Sequence, residues 1–197
     1  MSKDGVNKSR RRVLTAMTSA VGAAGLVGAA VPFVGSWNPS AKAKAAGAPV
    51  EVNVAKLEPG QMITIEWQGK PVYVLRRTPE IIAGLDTLDS RVRDPSSEAP
   101  QQPAYVQSKS RAIKDEFLVL LAVCTHLGCA PAHIPETGAQ DIGDSTWIGG
   151  FFCRCHGSKF DLAGRVFQGV PAPTNLLVPP HKYLSDGVIL IGEDQEA

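Results

Sequence analysis

Apolar and polar positions divide this chain into two unlike parts. Residues 13–34 (VLTAMTSAVGAAGLVGAAVPFV) are apolar or small, and no charged residue occurs between Arg12 and Lys42. At ~1.5 Å per residue such a run makes a helix of ~33 Å, enough to cross the ~30 Å hydrocarbon core of a bilayer. Beyond residue 50 the pattern becomes that of strands. VEVNVAKL (residues 50–57) alternates apolar and polar positions, and MITIEW (residues 62–67) and PVYVLR (residues 71–76) follow, joined through Gly69. TPEIIAGLDTL (residues 78–88) predicts a helix, with Thr78 as its cap and Pro79 in the first position. FLVLLAV (residues 117–123) and WIGGFF (residues 147–152) read as buried strands, and YLSDGVILI (residues 183–191) as a hairpin turning at Asp186-Gly187. The expected fold class is mainly β: an antiparallel β domain preceded by one N-terminal transmembrane helix.

Charge sharpens this division. Residues 1–12 hold Lys3, Lys8, Arg10, Arg11 and Arg12 against Asp4, whereas from residue 49 onward 13 Lys and Arg face 18 Asp and Glu, a net of −5. A mildly acidic body without a clustered basic face excludes nucleic acid as a partner. Basic residues ahead of the apolar run place the N-terminus in the cytoplasm and the body on the far side. SRRRVL (residues 9–14) resembles the twin-arginine export signal for proteins exported already folded, with Val13 where Phe is usual and a third Arg present. The small residues around Lys42 and Lys44 have the spacing of a signal-peptidase site but lie well past a long apolar run, so an uncleaved anchor is expected. The resulting organisation is a cytoplasmic basic segment (1–12), an anchor helix (13–37), a flexible Ala-, Lys- and Pro-rich tether (38–49) and a head (50–197). Twelve tether residues fully extended reach ~40 Å. The expected location is a bacterial inner membrane, single-pass, with the head in the periplasm.

All four cysteines and two of the four histidines lie in two hexapeptides, CTHLGC (residues 124–129) and CRCHGS (residues 153–158). Cys124 with His126, and Cys153 with His156, offer two thiolates and two imidazoles. That set suits a tetrahedral zinc ion, and equally a [2Fe–2S] cluster with both cysteines on one iron and both histidines on the other. Ligand type alone does not separate the two. Cys129 and Cys155 are surplus to either set, and any metal joining the loops also brings these sulfurs together. A disulfide between them would brace the loops by ~3–4 kcal/mol in the chain-entropy model. It would also require the oxidising compartment to which the export signal points.

CTHLGC and CRCHGS resemble the two cluster-binding boxes of the Rieske iron–sulfur proteins, in the disulfide-bearing, membrane-anchored form found in quinol–cytochrome c oxidoreductases (cytochrome bc complexes). GVPAPTNL (residues 169–176) is similar to that family's proline-rich loop, so the resemblance spans nearly the whole chain. It implies a cluster-binding subdomain at about 120–175 and one [2Fe–2S] cluster, with Cys124 and Cys153 on one iron and His126 and His156 on the other. It implies a Cys129–Cys155 disulfide, and Leu127, Pro171 and Pro173 as a shield over the cluster. His156, with His126 in support, becomes the contact for quinol, and the site takes one proton together with the electron as the imidazoles' proton affinity rises. Ser158 becomes a hydroxyl donor to a cluster sulfur. The implied role is quinol–cytochrome c reductase activity, as a subunit of a proton-translocating complex with cytochrome b and c-type cytochrome subunits as partners and lipid around the anchor. Phe160 departs from the pattern: many relatives carry Tyr there, and a lower potential is expected without its hydroxyl. His133 and His181 lie outside both boxes and read as surface or loop histidines. Three rival readings are the small Rieske subunit of a periplasmic oxidase such as arsenite oxidase, a soluble ferredoxin of a ring oxygenase, and a zinc-stabilised binding module.

Overall fold

A computed structural model describes Gly5 and residues 7–194, in two compact units that divide after Ala45. The first unit is built on helix α1 (Lys8–Gly35), whose mean hydropathy is 1.7 over its most apolar window. Asn7 caps it, its Oδ1 accepting the Arg10 N–H at 3.1 Å, so the helix starts inside the basic segment rather than at residue 13. Thr15 and Thr18 return their hydroxyls to the carbonyls of Arg11 and Leu14, at 2.8 and 2.9 Å. Both threonine hydroxyls in the run thereby have a partner within the helix, as an apolar solvent requires. Its Val, Leu, Met and Phe side chains are exposed. Among the described residues, none of the chain buries them.

The tether is not fully extended. Ala41–Ala46 form a short helix, α2, with the Ser40 Oγ accepting the Ala43 N–H at 3.1 Å. Alanine and lysine have high intrinsic helix propensity, and a serine cap is enough to start a turn. Six helical residues rise at ~1.5 Å each, which shortens the reach of residues 38–49 to ~30 Å.

The second unit is a stack of three-stranded antiparallel sheets. One is β1 (Val50–Asn53), β9 (Val188–Ile191) and β8 (His181–Ser185), in that order. The second is β2 (Met62–Trp67), β3 (Lys70–Arg76) and β4 (Phe117–Leu121). The third is β5 (Ala132–Ile134), β6 (Gly150–Cys153) and β7 (Ser158–Phe160). Gln68 and Gly69 both have positive φ, 53° and 70°, the two-residue turn whose twist suits the β2–β3 hairpin.

The second sheet is buried on both faces, which explains why β3 and β4 read as unbroken apolar runs. Side chains alternate along a strand. Val72, Val74, Val119 and Leu121 therefore enter one core with Val52, Ile189 and Ile191. Tyr73, Leu75, Leu118 and Leu120 enter another with Phe151, Phe160, Leu176, Cys124 and Cys153. The cysteine loops thus hang from the strand ends that bound the second core. A third cluster packs Trp147, Ile134, Val92 and Phe167 beside them.

Several expected boundaries move. The 50–57 strand ends at Asn53, and the Val54 N–H turns to the carbonyl of Gly187 at 2.8 Å. Helix α3 (Pro79–Gly84) is capped by Thr78, whose Oγ1 accepts the Ile81 N–H, but residues 85–88 tighten into a 3-10 turn. The strand before Cys153 starts only at Gly150, where a β-carbon would stand 2.2 Å from the Phe160 carbonyl oxygen. Trp147 instead turns inward, donating Nε1–H to the Ile134 carbonyl at 3.2 Å.

Candidate metal centre

Both hexapeptides fold by the same local device. β4 delivers the chain to Cys124 and β6 delivers it to Cys153. Four residues later a glycine takes a left-handed conformation, Gly128 at φ 85° and Gly157 at φ 75°. Each glycine N–H returns to its cysteine's carbonyl at 2.9 Å. L-residues with a β-carbon rarely adopt that φ, so glycine closes each loop. In the first loop the Cys124 N–H also donates to the Cys129 carbonyl at 2.8 Å.

The loops meet tip to tip. Cys129 and Cys155 are disulfide-bonded, 26 residues apart in sequence, with Cα atoms 6.7 Å apart. Cys124 and Cys153 are free and buried. The Cys153 sulfur lies within 4.8 Å of both disulfide sulfurs. Because those two are bonded to each other, the trio offers one thiol rather than three metal ligands. The His126 and His156 rings stand 4.7 Å apart, nearly perpendicular, His156 exposed and His126 half-buried.

Two observations test whether this set suits a metal cluster. Nδ1 of His126 is buried and makes no hydrogen bond in the structure. An unpaired buried ring nitrogen is costly unless something else takes its lone pair. The Cys124 thiol is pushed above its usual range, chiefly by burial and then by the Cys153 thiol beside it, while the His126 N–H and the Ser158 hydroxyl pull the other way. Two desolvated thiols and an orphaned imidazole nitrogen suit a cationic centre, which supplies the charge that solvent does not. The residues present fit a [2Fe–2S] cluster.

Ser158 lies at the floor of the site, fully buried. Its hydroxyl stands beside the Cys124 thiol and lowers that thiol's pKa, and its Oγ accepts the Ala172 N–H at 3.1 Å. Residues 169–176 are therefore tied directly to the second loop. They are tied to the first by Thr125, whose Oγ1 donates to the Thr174 carbonyl at 2.7 Å. Ala172 is buried while Pro171 and Pro173 are exposed. Leu127 is 70% exposed, an apolar residue held out into solvent at the first loop's tip rather than packed in the core. Phe160 is fully buried and forms no polar contact through its ring.

The other two histidines are not surface residues. His181 is 1% exposed, donating Nδ1–H to the Pro179 carbonyl at 2.9 Å, and burial lowers its pKa. His133 lies on β5 against Phe151, its pKa also lowered by burial, with Nε2 buried and unpartnered. Both read from the sequence as surface or loop histidines; His181 is instead buried at the start of β8, and His133 is half-buried on β5. Neither joins the two boxes.

Sequence reasoning missed a polar cleft of about 500 Å³ beside His156, lined by Arg91, Asp144, Lys159 and Gln168 among others. Asp144 accepts Arg91 at 2.7 Å and Lys159 at 3.3 Å. The Thr146 hydroxyl, with the Thr146 N–H and Lys159, holds its pKa down at about 2. These residues lie 53 and 15 positions apart in pairs, and no local pattern marks them. Thr125 was likewise overlooked, although it lies inside the first hexapeptide.

Comparisons with known proteins agree with this geometry. Residues 48–181 match the family model described as Rieske [2Fe-2S] domain, and residues 1–40 match that described as Ubiquitinol-cytochrome C reductase Fe-S subunit TAT signal. The ubiquinol-cytochrome c reductase iron-sulfur subunit of Allochromatium vinosum is 59% identical over 99% of this chain and 94% of its own. That of Blastochloris viridis is 40% identical over 97% of each. A chain of a hyperthermophilic respiratory Complex III overlays with a TM-score of 0.47 at 25% identity, covering 89% of this chain and 98% of that one. The oxidase-subunit, ring-oxygenase ferredoxin and zinc-module readings find no support. The chain belongs to the Rieske iron–sulfur subunits of ubiquinol–cytochrome c reductase, membrane-anchored electron-transfer components of the cytochrome bc1 complex that carry a Rieske [2Fe–2S] domain.

Proposed function

We propose that Cys124 and Cys153 hold one iron of the cluster and that His126 and His156 hold the other, each imidazole through Nδ1. The observation that carries this reading is the buried, partnerless Nδ1 of His126 beside two buried free thiols. When bound, the cluster supplies a one-electron acceptor whose two neutral imidazole ligands leave it less negative than four thiolates would, which raises its potential.

The chain's own residues then prepare the quinol step. His156 is exposed at the second loop's tip. Its Nε2 hydrogen-bonds the quinol hydroxyl and takes the proton that leaves with the electron; His126 supports it. Leu127, Pro171 and Pro173 form an apolar collar around that contact, excluding water where the quinol ring docks. The Ser158 hydroxyl stabilises added negative charge at the Cys124 sulfur. Residues 13–37 lie in lipid, residues 38–49 act as the tether and residues 50–197 as the head. Lys8 and Arg10–Arg12 stay cytoplasmic and the head lies on the periplasmic side, so the proton taken by His156 is released there. That release is this subunit's part in proton translocation.

Metal analysis with spin resonance of the ascorbate-reduced protein tests the assignment. Two irons and two acid-labile sulfides per chain, with a low-g [2Fe–2S] signal lost in His126→Ala and His156→Ala, is the expected result. Zinc without labile sulfide would overturn it. Protease treatment of spheroplasts tests the sidedness: the head should be cleaved without breaking the membrane.

A further inference from the structure

Three buried guanidinium groups, Arg77, Arg111 and Arg165, converge on the five-residue turn 161–165 that follows β7 and Ser158. Arg165 Nε donates to the Asp161 carboxylate at 2.7 Å. Arg77 Nη1 donates to the Leu162 carbonyl at 3.2 Å. Arg111 Nη1 donates to the carbonyls of Ala163 and Gly164 at 3.1 and 3.2 Å. Arg111 also reaches beyond the turn, its Nη2 donating to the Leu176 carbonyl at 2.6 Å, at the end of the proline-rich segment. The Leu176 N–H in turn donates to the Gly164 carbonyl at 2.8 Å, so turn and segment are sewn together at one place.

Arg111 holds this place at a cost. Its φ is 52°, a left-handed conformation that costs a side-chain-bearing residue ~1–3 kcal/mol. It is fully buried without a carboxylate bonded to it, and burial brings its pKa down to about 10. Gln102 Oε1 and the Gln101 carbonyl take its remaining donors, at 3.0 to 3.3 Å. Gly164 is fitted to it: a β-carbon there would lie 3.1 Å from Arg111 Nη1 and 2.8 Å from Leu120 Cδ1. Strain and desolvation on one residue persist only where its surroundings over-determine it.

We propose that Arg111 is a positioning residue for electron transfer, clamping residues 169–176 onto the two cysteine loops. The inference rests on the assignment of those loops to the cluster. Both ties from the segment to the loops, Ala172 to Ser158 and Thr174 to Thr125, lie on a stretch whose far end Arg111 fixes. A planar fork reaches the Ala163, Gly164 and Leu176 carbonyls together; a lysine keeps the charge but is a single point donor.

The test compares full-length wild type, Arg111→Lys and Gln102→Ala in detergent, by amide hydrogen exchange and by the spin-resonance line shape after ascorbate reduction. In Arg111→Lys the Ala172 and Leu176 amides should exchange about tenfold faster or more, because charge-assisted bonds at their anchor are lost. Amides of β2, β3 and β4 should keep their protection, and the reduced spectrum should broaden or shift its g-values. Gln102→Ala should move both readouts the same way by less, and it decides the matter should the lysine variant not fold. Wild-type protection and line shape in both variants would refute the clamp, as would exchange rising evenly over all three sheets. A wild type without a [2Fe–2S] signal condemns the cluster assignment instead, leaving the exchange experiment to judge Arg111 as a clamp of the segment alone.

Discussion

The Ser158 hydroxyl stands beside the sulfur of Cys124, lowering that thiol's pKa, while its oxygen accepts the backbone N–H of Ala172 at 3.1 Å. One buried side chain therefore links both cysteine loops and the proline-rich segment, since Ser158 closes the second loop and Cys124 opens the first. A hydrogen bond to a sulfur that gains electron density favours the reduced state.

Replacing Ser158 with Ala should lower the midpoint potential while leaving the cluster bound. A hydrogen bond to a charged acceptor contributes ~1.5 kcal/mol or more, which for one electron is a fall of about 60 mV. Redox titration of the purified protein, followed by circular dichroism, measures it. An unchanged potential would mean that Ser158 serves only to hold Ala172.

Phe160→Tyr should act in the opposite sense. Phe160 is fully buried on β7, in the core that holds Cys124 and Cys153. Its ring has no hydroxyl, so a tyrosine there can supply a second donor to a cysteine sulfur. A rise of similar size is expected in the same titration, with little change in Tm if the new hydroxyl is paired. A drop in Tm with no rise in potential would show the hydroxyl buried without a partner.

Cys129→Ala with Cys155→Ala should weaken the head by ~3–4 kcal/mol, the chain-entropy value for a closed loop of this size. Denaturant unfolding of the two proteins under air measures the difference. Cluster loss should precede global unfolding in the double variant, because the covalent tie between the loop tips is then gone.

Acid should destabilise the head from about pH 6.5 downward, the ordinary histidine value. His181 and His133 both have pKa values lowered by burial in the folded state. Below pH 6.5 the unfolded chain therefore binds protons that the folded chain does not, and stability falls with pH at up to ~1.4 kcal/mol per unit for each histidine until its folded value is reached. His181→Gln should flatten this slope in denaturant melts at pH 7.5, 6.5 and 5.5. An unchanged slope would assign the acid sensitivity elsewhere.

Alkaline carbonate should leave the protein in the membrane pellet, since α1 presents apolar side chains outward from Val13 to Val34. Replacing Val21 and Leu26 with Lys should release it, because charges near a span's centre cost ~2.5–3.5 kcal/mol each.

The strands, the apolar span and the two cysteine- and histidine-bearing hexapeptides were legible from residue order because each depends on neighbours within a few positions. Alternation marks a strand, an uncharged run marks a span, and a glycine four places after a cysteine closes a loop. Boundaries were legible only roughly: the strand expected over residues 50–57 ends at Asn53, and residues 38–49, expected as a flexible tether, acquire a helical turn from Ser40 and its alanines. What the tertiary structure alone decided is which distant groups meet. Burial of His181, packing of His133 against Phe151, the Asp144 hub beside His156 and the Arg111 clamp each join residues far apart in the chain. Their energies come from desolvation and from carbonyls presented by separate loops, quantities that no short stretch of sequence encodes.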